Sequence, residues 1–332
     1  MKKYLPDIAI VITTYQRQEL LGQLLKSIDG QKIKPKKVYV VDNENSPATQ
    51  KLVESFGRTQ YIGMQENTGG AGGFSRGIQE AYQAGHDWLW IMDDDVKLLP
   101  GAIAKLTKWT KQTEAELHSL RELDEITTGY QMSRKNFDST PFYWQYRFWN
   151  HLAIPNPVAP SGWKKGETSR PMNTACFEGG LFHRKLIEKI GLPDARFFIY
   201  WDDTIYGYLA SKVTKLAIVP DVVIQRTRTL DNIKLGAVRK LNSTSDMTRY
   251  YIMRNRGHMA HYLRLNGDYN PILFNFGTFL TLCKEIIRLF ITKSFRSGLP
   301  RLTAGMRDGR KIRKDKTWKP YNEVHKLEGG KK

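Results

Sequence analysis

The chain has 332 residues, of which 40% are hydrophobic, and a formal net charge of +19. This length supports one large domain with an extension, or two domains. The two cysteines, Cys176 and Cys283, match no metal-ligand or redox spacing, which excludes a disulfide-stapled or zinc-ribbon protein and predicts a reducing compartment. The N-terminal residues show no signal-peptide pattern, so we expect a protein in the cytosol or facing it.

The positive charge is concentrated near the C-terminus. Residues 284–332 contain fifteen Lys and Arg residues against five Asp and Glu residues, so about +10 of the +19 lies there. Such a segment attracts nucleic acids and anionic lipid head groups through the same field, and composition alone does not choose between them.

The first elements alternate between strand and helix. Residues 8–12 form an apolar, mostly β-branched run that predicts a central parallel strand, and residues 13–15 end it with polar side chains. Apolar residues at helical spacing predict an amphipathic helix over residues 19–28. Residues 37–41 predict the next strand, which ends in the polar stretch 42–46. Ligands bind at such strand ends in open α/β sheets.

A glycine-rich segment follows a short predicted strand at residues 59–62. Four of residues 69–73 are glycine, and a helix is predicted from there through Ala84, with Arg76 in its first part. Glycines let a backbone approach a ligand closely. The spacing fails G-x-G-x-x-G and no Walker lysine follows, so a flexible surface loop is the alternative.

Residues 86–92 form a mostly apolar run that ends at three adjacent carboxylates, Asp93, Asp94 and Asp95. Three adjacent acids repel one another unless solvent or a cation screens them, and oxygen ligands suit Mg²⁺ or Mn²⁺. A solvated turn before the next helix is the alternative. Because polar or glycine-rich clusters follow all four predicted strands, we expect them to converge on one edge of a parallel sheet, which favours a ligand site.

The middle of the chain is less regular. Residues 102–120 predict a helix and residues 125–130 a strand, and residues 142–149 form a dense aromatic block. Aromatic rings stack on sugars and lipids, but a core or an interface also explains them and is the favoured interpretation. Residues 155–170 predict a loop. A second acidic pair, Asp202 and Asp203, follows the apolar residues 197–201, and local sequence alone favours a capped turn there.

Five motifs in this order resemble the family 2 inverting glycosyltransferases of GT-A fold, most closely their bacterial galactofuranosyltransferase-like branch. The motifs are VITTYQR (11–17), VVDN (40–43), ENTGGAGGF (66–74), MDDD (92–95) and WDDTIYG (201–207), and the resemblance covers residues 8–261. It implies a Rossmann-like α/β domain, with a mostly parallel central sheet flanked by helices, over residues 1–262. Residues 1–100 would bind the nucleotide sugar and residues 101–262 the acceptor.

The resemblance also implies roles for individual residues. Those assigned to the nucleotide sugar are Thr14, Tyr15, Arg17, Asp42, Asn67, Gly69, Gly70, Arg76, Asp93 and Asp94. Among them, Arg17, Asp42 and Asn67 would face the base and ribose, and Arg76 the diphosphate. Asp93 and Asp95 would bind the Mn²⁺ or Mg²⁺ that bridges the two phosphates and neutralises charge on the leaving group, with Asp94 close to the ribose.

Inverting transfer needs a carboxylate that takes the proton of the acceptor hydroxyl as it attacks. The resemblance places this general base at Asp203, with Asp202 orienting the acceptor. Related enzymes supply a histidine as third metal ligand where this chain has Gln225 and Arg226. His258 or His261 is an alternative ligand, and Arg226 is an alternative source of positive charge.

Residues 263–332 predict a helical, basic C-terminal extension. Its longest uncharged stretch, residues 269–283, falls short of the roughly 20 residues that a membrane span needs. Amphipathic helices with basic flanks lie on anionic membranes, while packing on the catalytic domain or at a dimer interface is the alternative. Residues after Arg307 are predicted to be poorly ordered.

We therefore expect a metal-dependent inverting glycosyltransferase at the inner face of the plasma membrane. The first hypothesis is galactofuranosyl transfer from UDP-galactofuranose to a cell-surface glycan or lipid-linked acceptor, and the second is rhamnosyl transfer from dTDP-rhamnose. An inactive donor-binding scaffold and a basic nucleic-acid-binding protein are the alternatives from other classes. The last explains the charge but none of the acidic or glycine-rich motifs, so no nucleic-acid partner is expected. A homo-oligomer is left open.

Overall fold

The computed structural model describes residues 5–119, 121–142, 146–158, 162–228, 232–235, 239–242 and 245–327. The strands are β1 (Ile8–Thr14), β2 (Lys37–Asp42), β3 (Thr59–Gly63), β4 (Trp88–Asp93), β5 (Val96–Leu98), β6 (Thr127–Lys135), β7 (Pro141–Phe142), β8 (Phe148–Trp149), β9 (Ile154–Pro155), β10 (Arg170–Met172), β11 (Gly180–His183), β12 (Lys215–Arg226), β13 (Asn232–Leu235) and β14 (Arg239–Asn242). The α-helices are α1 (Gln18–Asp29), α2 (Pro47–Glu54), α3 (Gly69–Gln83), α4 (Ala102–Leu117), α5 (Arg184–Ile190), α6 (Asp202–Ala210), α7 (Asp246–Arg254), α8 (Arg256–Leu265), α9 (Pro271–Ile291), α10 (Phe295–Lys314) and α11 (Tyr321–Val324).

Ten of the described strands form one sheet. Its order is β10-β12-β6-β11-β4-β1-β2-β3, with β5 paired to β12 and β7 to β6. β1 is parallel to β2 and β4, β2 is parallel to β3, and β12 is parallel to β6. β11 is antiparallel to both of its neighbours, β4 and β6. The predicted α/β fold with a mostly parallel central sheet is confirmed.

Helices cover both faces of the sheet, which is why its central strands are apolar throughout. On β1, Ile10 packs into a core with side chains of α1 and α4. The next residue, Val11, points to the other face and packs with side chains of α3, α5 and α6. Residues 88–92 of β4 are fully buried in the same alternating way. Alternation of side chains along a strand thus divides the core into two layers.

Strand register brings the polar strand ends together. Thr14 at the end of β1 lies opposite Asp42 at the end of β2, and Thr13 lies opposite Asp93 at the end of β4. Since these strands are parallel, the loops that follow them leave the sheet at one edge. This is the convergence that the sequence pattern predicts.

The aromatic block at residues 142–149 falls partly outside the described residues, because residues 143–145 are not among them. Of its described side chains, Tyr146 and Phe148 are buried and Trp149 is exposed. Tyr146 lies 5.6 Å from the Arg170 guanidinium, and the Phe148 ring packs edge-on against Tyr208 at 6.1 Å. For Tyr146 and Phe148, this favours the core interpretation over a sugar platform.

The C-terminal helices pack on one another and on the catalytic half. Residues 246–265 form two helices, α7 and α8, that meet at Asn255. α10, which belongs to the predicted helical extension, packs closely on α7: a Cβ at Gly305 would lie 2.2 Å from the carbonyl oxygen of Tyr250. Only glycine allows this approach. No helix in the described part of the chain combines the length and apolarity that crossing a bilayer requires.

The end of the chain packs back onto the catalytic half. Trp318 stacks on His261 at 4.5 Å, and its indole N–H donates to His258 Nδ1 at 3.0 Å. Asn322 donates to the carbonyl oxygen of Ile190 at 2.7 Å. The prediction of a poorly ordered tail after Arg307 is therefore wrong for residues 308–327, whose aromatic and amide side chains find tertiary partners. Residues 328–332 lie outside the described residues.

Gly207→Ala tests how closely α6 packs against the backbone at Ala175. A Cβ at Gly207 would lie 2.0 Å from the backbone nitrogen of Ala175, so the helix must shift. Overpacking of this kind costs about 1–3 kcal/mol in the free energy of unfolding. Chemical denaturation should show this loss. Gly57→Ala is the matched control, because a Cβ at Gly57 meets nothing within 4 Å. Equal stability of the two variants would contradict the close packing of α6.

Candidate active site

The acidic triplet lies in the turn between β4 and β5. The Asp94 side chain is 2% exposed and accepts hydrogen bonds from the Thr14 hydroxyl at 2.7 Å and the Arg17 guanidinium at 3.0 Å. Arg17 also lies 3.6 Å from Asp95, which Arg228 approaches to 3.5 Å from the other side. The structure thus brings together the ends of β1, β4 and β12. The sequence analysis missed Arg228, because no local motif indicates that it lies beside Asp95.

Asp93 is the least compensated acid of the triplet. Burial, followed by the neighbouring carboxylates of Asp95 and Glu178, raises the pKa of Asp93 well above its usual range. Burial and Glu178 also raise the pKa of Asp95. Carboxylates that repel one another in a poorly solvated corner are stabilised in their charged form by a cation.

These residues fit a divalent ion that Asp93 and Asp95 hold together with other oxygen ligands. Mg²⁺ is commonly bound by one or two carboxylates together with substrate phosphates. Within the described residues, no group of three or more His, Cys, Asp or Glu side chains is arranged to hold a metal ion. An ion at Asp93 and Asp95 would take its remaining ligands from other oxygens, such as those of phosphates.

Neither alternative third ligand lies at the acidic triplet. His258 is buried against Trp318 and Phe197, and burial lowers its pKa to about 3. His261 stacks on Trp318 and bonds to the carbonyl oxygen of Ile312 at 2.7 Å. Gln225 donates to the carbonyl oxygen of Phe137 at 3.1 Å, in the turn after β6. The histidine alternatives are therefore corrected to structural roles, since their ring nitrogens and faces pack against the C-terminal helices.

Glu178 is a central residue that sequence reasoning missed. It directly precedes the turn into β11, where Gly179 donates its N–H to the carbonyl oxygen of Ile91 at 2.8 Å. Its carboxylate receives a two-point contact from Arg226, at 2.7 and 2.8 Å, and lies 3.1 Å from Arg134. Burial alone would raise the pKa of Glu178, but these two arginines hold it below its usual value. In the sequence, the signal for Glu178 was an acidic residue beside the apolar strand β11.

Arg134 connects this cluster to the second acidic pair. Its guanidinium nitrogens lie 3.8 Å from the Cys176 sulfur and donate to the carbonyl oxygen of Glu178 at 2.6 Å. The Cys176 thiol in turn interacts with Asp203 and lowers the pKa of that carboxyl. A buried chain of contacts therefore runs from Asp203 through Cys176 and Arg134 to Glu178, beside Asp93. Arg134 is also a residue that the sequence did not reveal.

Asp202 and Asp203 open helix α6. Asp203 accepts hydrogen bonds from the backbone N–H of Thr204 at 2.6 Å and its hydroxyl at 3.2 Å. Burial and the neighbouring Asp203 raise the pKa of Asp202 to about 8. Burial raises the pKa of Asp203 to about 6, with the Thr204 bonds, Cys176 and Arg134 opposing it. Burial thus raises both pKa values, and Asp203 has the lower pKa of the pair.

The segment before this pair has a strained backbone. Phe198, Tyr200 and Trp201 have φ values of 63°, 73° and 73°, in a region that large side chains rarely adopt. The Asn255 side-chain amide donates to the carbonyl oxygens of Phe197, Ile199 and Tyr200, each at 2.9 Å. Strain of this kind is typical of functional sites and persists only where the surroundings hold it.

The glycine-rich segment supports the site by close packing. A Cβ at Gly69, whose φ is 68°, would lie 2.1 Å from the carbonyl oxygen of Phe198, and that oxygen accepts a hydrogen bond from Ala71 N–H at 3.0 Å. A Cβ at Gly73 would lie 2.4 Å from Thr13. These glycines therefore bring α3 close to protein backbone and side chains. Contact of Gly69 and Gly70 with a donor stays a prediction.

Four of the predicted donor-binding side chains are accessible: Tyr15, Arg17, Asn67 and Arg76. Tyr15 is 43% exposed, and the Arg17 side chain is 40% exposed beside the acidic triplet. Asn67 is also exposed, and its side-chain oxygen accepts from Gly69 N–H at 2.9 Å, at the start of α3. Arg76 pairs with Glu80 at 2.6 Å, which draws its guanidinium toward the carboxyl end of α3. Its contact with a diphosphate stays a prediction that requires it to leave Glu80.

Asp42 lies at the end of β2. It is 0% exposed, and it accepts hydrogen bonds from the backbone N–H groups of Glu44 and Ser46, each at 2.9 Å, and from the Tyr61 hydroxyl at 3.0 Å. Asp42 therefore fixes the loop after β2, because a tight turn turns its side chain back onto its own backbone. Its contact with a base or ribose stays a prediction that requires the loop after β2 to open.

Asp203→Asn should stabilise the fold at neutral pH. The folded state binds a proton at Asp203 more tightly than the unfolded chain does, so ionising this carboxyl costs stability as the pH rises from about 4 to about 6. A factor of ten in proton affinity corresponds to about 1.4 kcal/mol, so we expect a gain of the order of 2 kcal/mol at pH 7.5 and little gain at pH 4.

Thermal unfolding at both pH values measures this effect, with the exposed Asp124→Asn as the matched control. A gain that is equal at both pH values, or a gain in the control, would contradict the raised pKa as its cause.

The chain is similar to known proteins in sequence and in fold. Galactofuranosyltransferase GlfT1 of Mycolicibacterium smegmatis is 30% identical over 200 residues, which are 59% of this chain, and the chain spans 62% of the length of that relative. The crystal structure of S. aureus TarS 1-349 in complex with UDP-GlcNAc is similar with a TM-score of 0.52 at 11% identity, over 92% of each chain. That of GalNAc-T7 with UDP, GalNAc and Mn²⁺ has a TM-score of 0.50 at 15% identity, over 76% of this chain and 48% of its own.

These two structures share the fold of this chain. The model of the family described as "Glycosyl transferase family 2" matches residues 9–190. This match covers more than half of the chain, so the chain belongs to glycosyl transferase family 2, with a GT-A-like fold and a C-terminal helical region.

Proposed function

We propose that this enzyme is a metal-dependent, inverting hexosyltransferase, with galactofuranosyl transfer from UDP-galactofuranose as the first candidate reaction. The observation that carries the proposal is the presence of two acidic sites: the triplet Asp93, Asp94 and Asp95 at the end of β4, and the adjacent carboxyls of Asp202 and Asp203 at the start of α6. The acceptor is a cell-surface glycan or a lipid-linked glycan, met at the inner face of the plasma membrane.

The donor site is the edge of the sheet where β1 and β4 end. Arg17, Tyr15 and Asn67 offer exposed polar groups to the base and ribose, and Asp94 is fixed by Thr14 and Arg17 beside them. Asp93 and Asp95 would hold Mn²⁺ or Mg²⁺ against the diphosphate. When bound, the ion supplies Lewis-acid stabilisation of the nucleoside diphosphate leaving group. Arg228 adds a positive charge beside Asp95.

The sequence analysis considered Arg226 as a source of positive charge at the metal site, but its contacts support a different role. Its guanidinium is committed to Glu178 through two contacts, at 2.7 and 2.8 Å. It therefore acts on phosphate charge only indirectly, by compensating an acid that neighbours Asp93 and Asp95. Arg17 and Arg228, which are 40% and 46% exposed, are the arginines placed to contact an anionic ligand at the triplet.

Asp203 is the general base in this proposal. Its pKa of about 6 leaves it ionised at neutral pH yet basic enough to take a proton from an acceptor hydroxyl. Asp202, with a pKa of about 8, is protonated at the same pH and donates a hydrogen bond that orients the acceptor. One base that activates an incoming hydroxyl suits a single displacement, which inverts the anomeric centre.

The similarity to galactofuranosyltransferase GlfT1 supports the UDP-galactofuranose candidate, and family membership supports an enzyme over a nucleic-acid-binding protein. The second candidate, rhamnosyl transfer from dTDP-rhamnose, rests on sequence resemblance. An inactive donor-binding scaffold would lack an ionised base, whereas here burial and hydrogen bonding set Asp202 and Asp203 to different pKa values. That difference favours catalysis.

The test compares Asp203→Asn with Asp202→Asn, which are chemically identical substitutions at neighbouring positions. Sugar release and transfer are measured from UDP-galactofuranose and from dTDP-rhamnose with Mn²⁺. Asp203→Asn should lose at least about a hundredfold in turnover while keeping donor affinity, because it removes the proton acceptor without changing shape. Asp202→Asn replaces a protonated carboxyl and should retain far more turnover.

The pH profile provides the control. Turnover of the wild-type enzyme should rise with pH through about 6 as Asp203 ionises. Asp202→Asn should keep a rising limb of this kind. Normal turnover in Asp203→Asn would remove it as the base, and equal losses in both variants would contradict the division of roles. No transfer from either donor would count against the hexosyltransferase proposal.

A further inference from the structure

Helix α9 presents an apolar face to solvent. Its five most exposed apolar side chains are Ile272, Phe276, Phe279, Ile287 and Phe290, with Phe276, Phe279 and Phe290 exposed by 52%, 57% and 65%. Intervals of three, four and eight residues place them on one side of the helix. The stripe is about 30 Å long at 1.5 Å per residue. Apolar patches of this size on a protein surface mark an interaction site.

The opposite face of α9 points inward although it is partly charged. Glu285 is 0% exposed and Arg288 is 6% exposed, and the two form an ion pair. Thr281 is buried on the same face. Long apolar side chains therefore face outward while a charged pair is buried. This pattern is the reverse of a helix whose apolar stripe is covered by its own domain.

Basic side chains lie at both ends of the stripe. At its beginning, the Arg313 guanidinium donates to the side-chain oxygen of Asn275 at 2.6 Å, and exposed Arg264 donates to the carbonyl oxygen of Arg313 at 3.0 Å. Just after its end, Lys293 and Arg296 are exposed. Residues 293–319 contain ten Lys and Arg residues against two Asp residues. The apolar face is therefore bordered by positive charge.

We propose that the outer face of α9, with this basic border, is the surface by which the enzyme binds an anionic lipid membrane. Apolar side chains enter the boundary between head groups and acyl chains, while the border meets anionic head groups, each basic residue contributing about 1 kcal/mol. A second copy of this chain fits less well, because a two-fold contact through the same face would oppose like charges.

The location of α9 gives this surface a functional meaning, a step that rests on the proposed function. Tyr200 packs against the cluster that contains Leu289 of α9, and its hydroxyl interacts electrostatically with Arg288, Glu285 and Asp203. The Tyr200 side chain therefore links the inner face of α9 to the proposed base, Asp203. A membrane on the outer face lies about one helix diameter, roughly 10 Å, farther out. A lipid-anchored acceptor would meet Asp203 from that side.

The test is flotation of the full chain with vesicles of phosphatidylcholine alone and of phosphatidylcholine mixed with phosphatidylglycerol. We expect binding to the mixed vesicles that weakens with salt.

The double variant Phe279→Ser with Phe290→Ser should bind at least about tenfold more weakly, because two exposed rings no longer leave water. Lys293→Glu with Arg296→Glu should lose about tenfold on mixed vesicles. Phe137→Ser is the matched control, with a ring exposed by 54% at a distant turn, and should bind as wild type.

Cys283 offers a second readout within the stripe. It lies eleven residues, or about three turns, after Ile272 and is partly exposed, whereas Cys176 is buried and its thiol pKa is raised by burial. An environment-sensitive fluorophore on Cys283 should shift to the blue when mixed vesicles are added. Absence of both flotation and shift would overturn the proposal, as would wild-type binding by the Phe279 and Phe290 double variant.

Two further results keep the outcomes apart. If the chain forms dimers that the Phe279 and Phe290 double variant loses, while no vesicles bind, the face is an interface between copies and the proposal fails. UDP with Mn²⁺ is titrated into the same variants without vesicles. Retained UDP binding with lost vesicle binding supports a separate membrane surface. Vesicle binding by a wild-type protein that binds no UDP would count against the proposed function alone.

Discussion

The site depends on one electrostatic constraint: several carboxylates meet at one poorly solvated edge of the sheet and must be compensated. Buried charges are stable only when they are paired and hydrogen-bonded. Arg134 and Arg226 compensate Glu178, and Arg17 compensates Asp94. Burial, followed by the neighbouring acids, raises the pKa of Asp93 well above its usual value. The arginines thus set which acids are satisfied by the chain and which are left for a cation.

The same network separates the two acidic sites by role. Glu178 and Arg134 lie between the triplet and Asp203, so a change on one side alters the field on the other. At the second site, burial and the proximity of two carboxyls raise the pKa of Asp202 above that of Asp203, which is the arrangement that the proposed base requires. Asn255 and the strained backbone of residues 198–201 fix this pair in position. Since Asn255 lies between α7 and α8, the C-terminal helices take part in forming the site.

Much of the catalytic half was predictable from sequence, because it rests on local patterns. The buried strands β1 and β4 are continuous apolar runs, and the acidic triplet is visible as three adjacent letters. Long-range pairing is not visible in this way: Arg134 and Glu178 are 44 positions apart, and neither has a local motif. The hydrogen bonds of Asp42 were also not predictable, because the sequence does not show that the loop after β2 folds back onto its carboxylate. The helical extension was predicted, but the order of residues 308–327 was not, because glycines and charges argue against order locally, while packing on α7 and the Trp318 contacts outweigh them.

The measurement that tests the central claim most directly is calorimetric titration of UDP and dTDP into the purified protein, with and without Mn²⁺. It is repeated on Asp95→Ala and on the exposed control Asp124→Ala. The account predicts that one nucleotide binds in a Mn²⁺-dependent manner, that Asp95→Ala abolishes this binding and that the control keeps it. Binding that is indifferent to Mn²⁺ and to Asp95, or no binding of either nucleotide, would contradict the assignment of the acidic corner as a metal-assisted donor site.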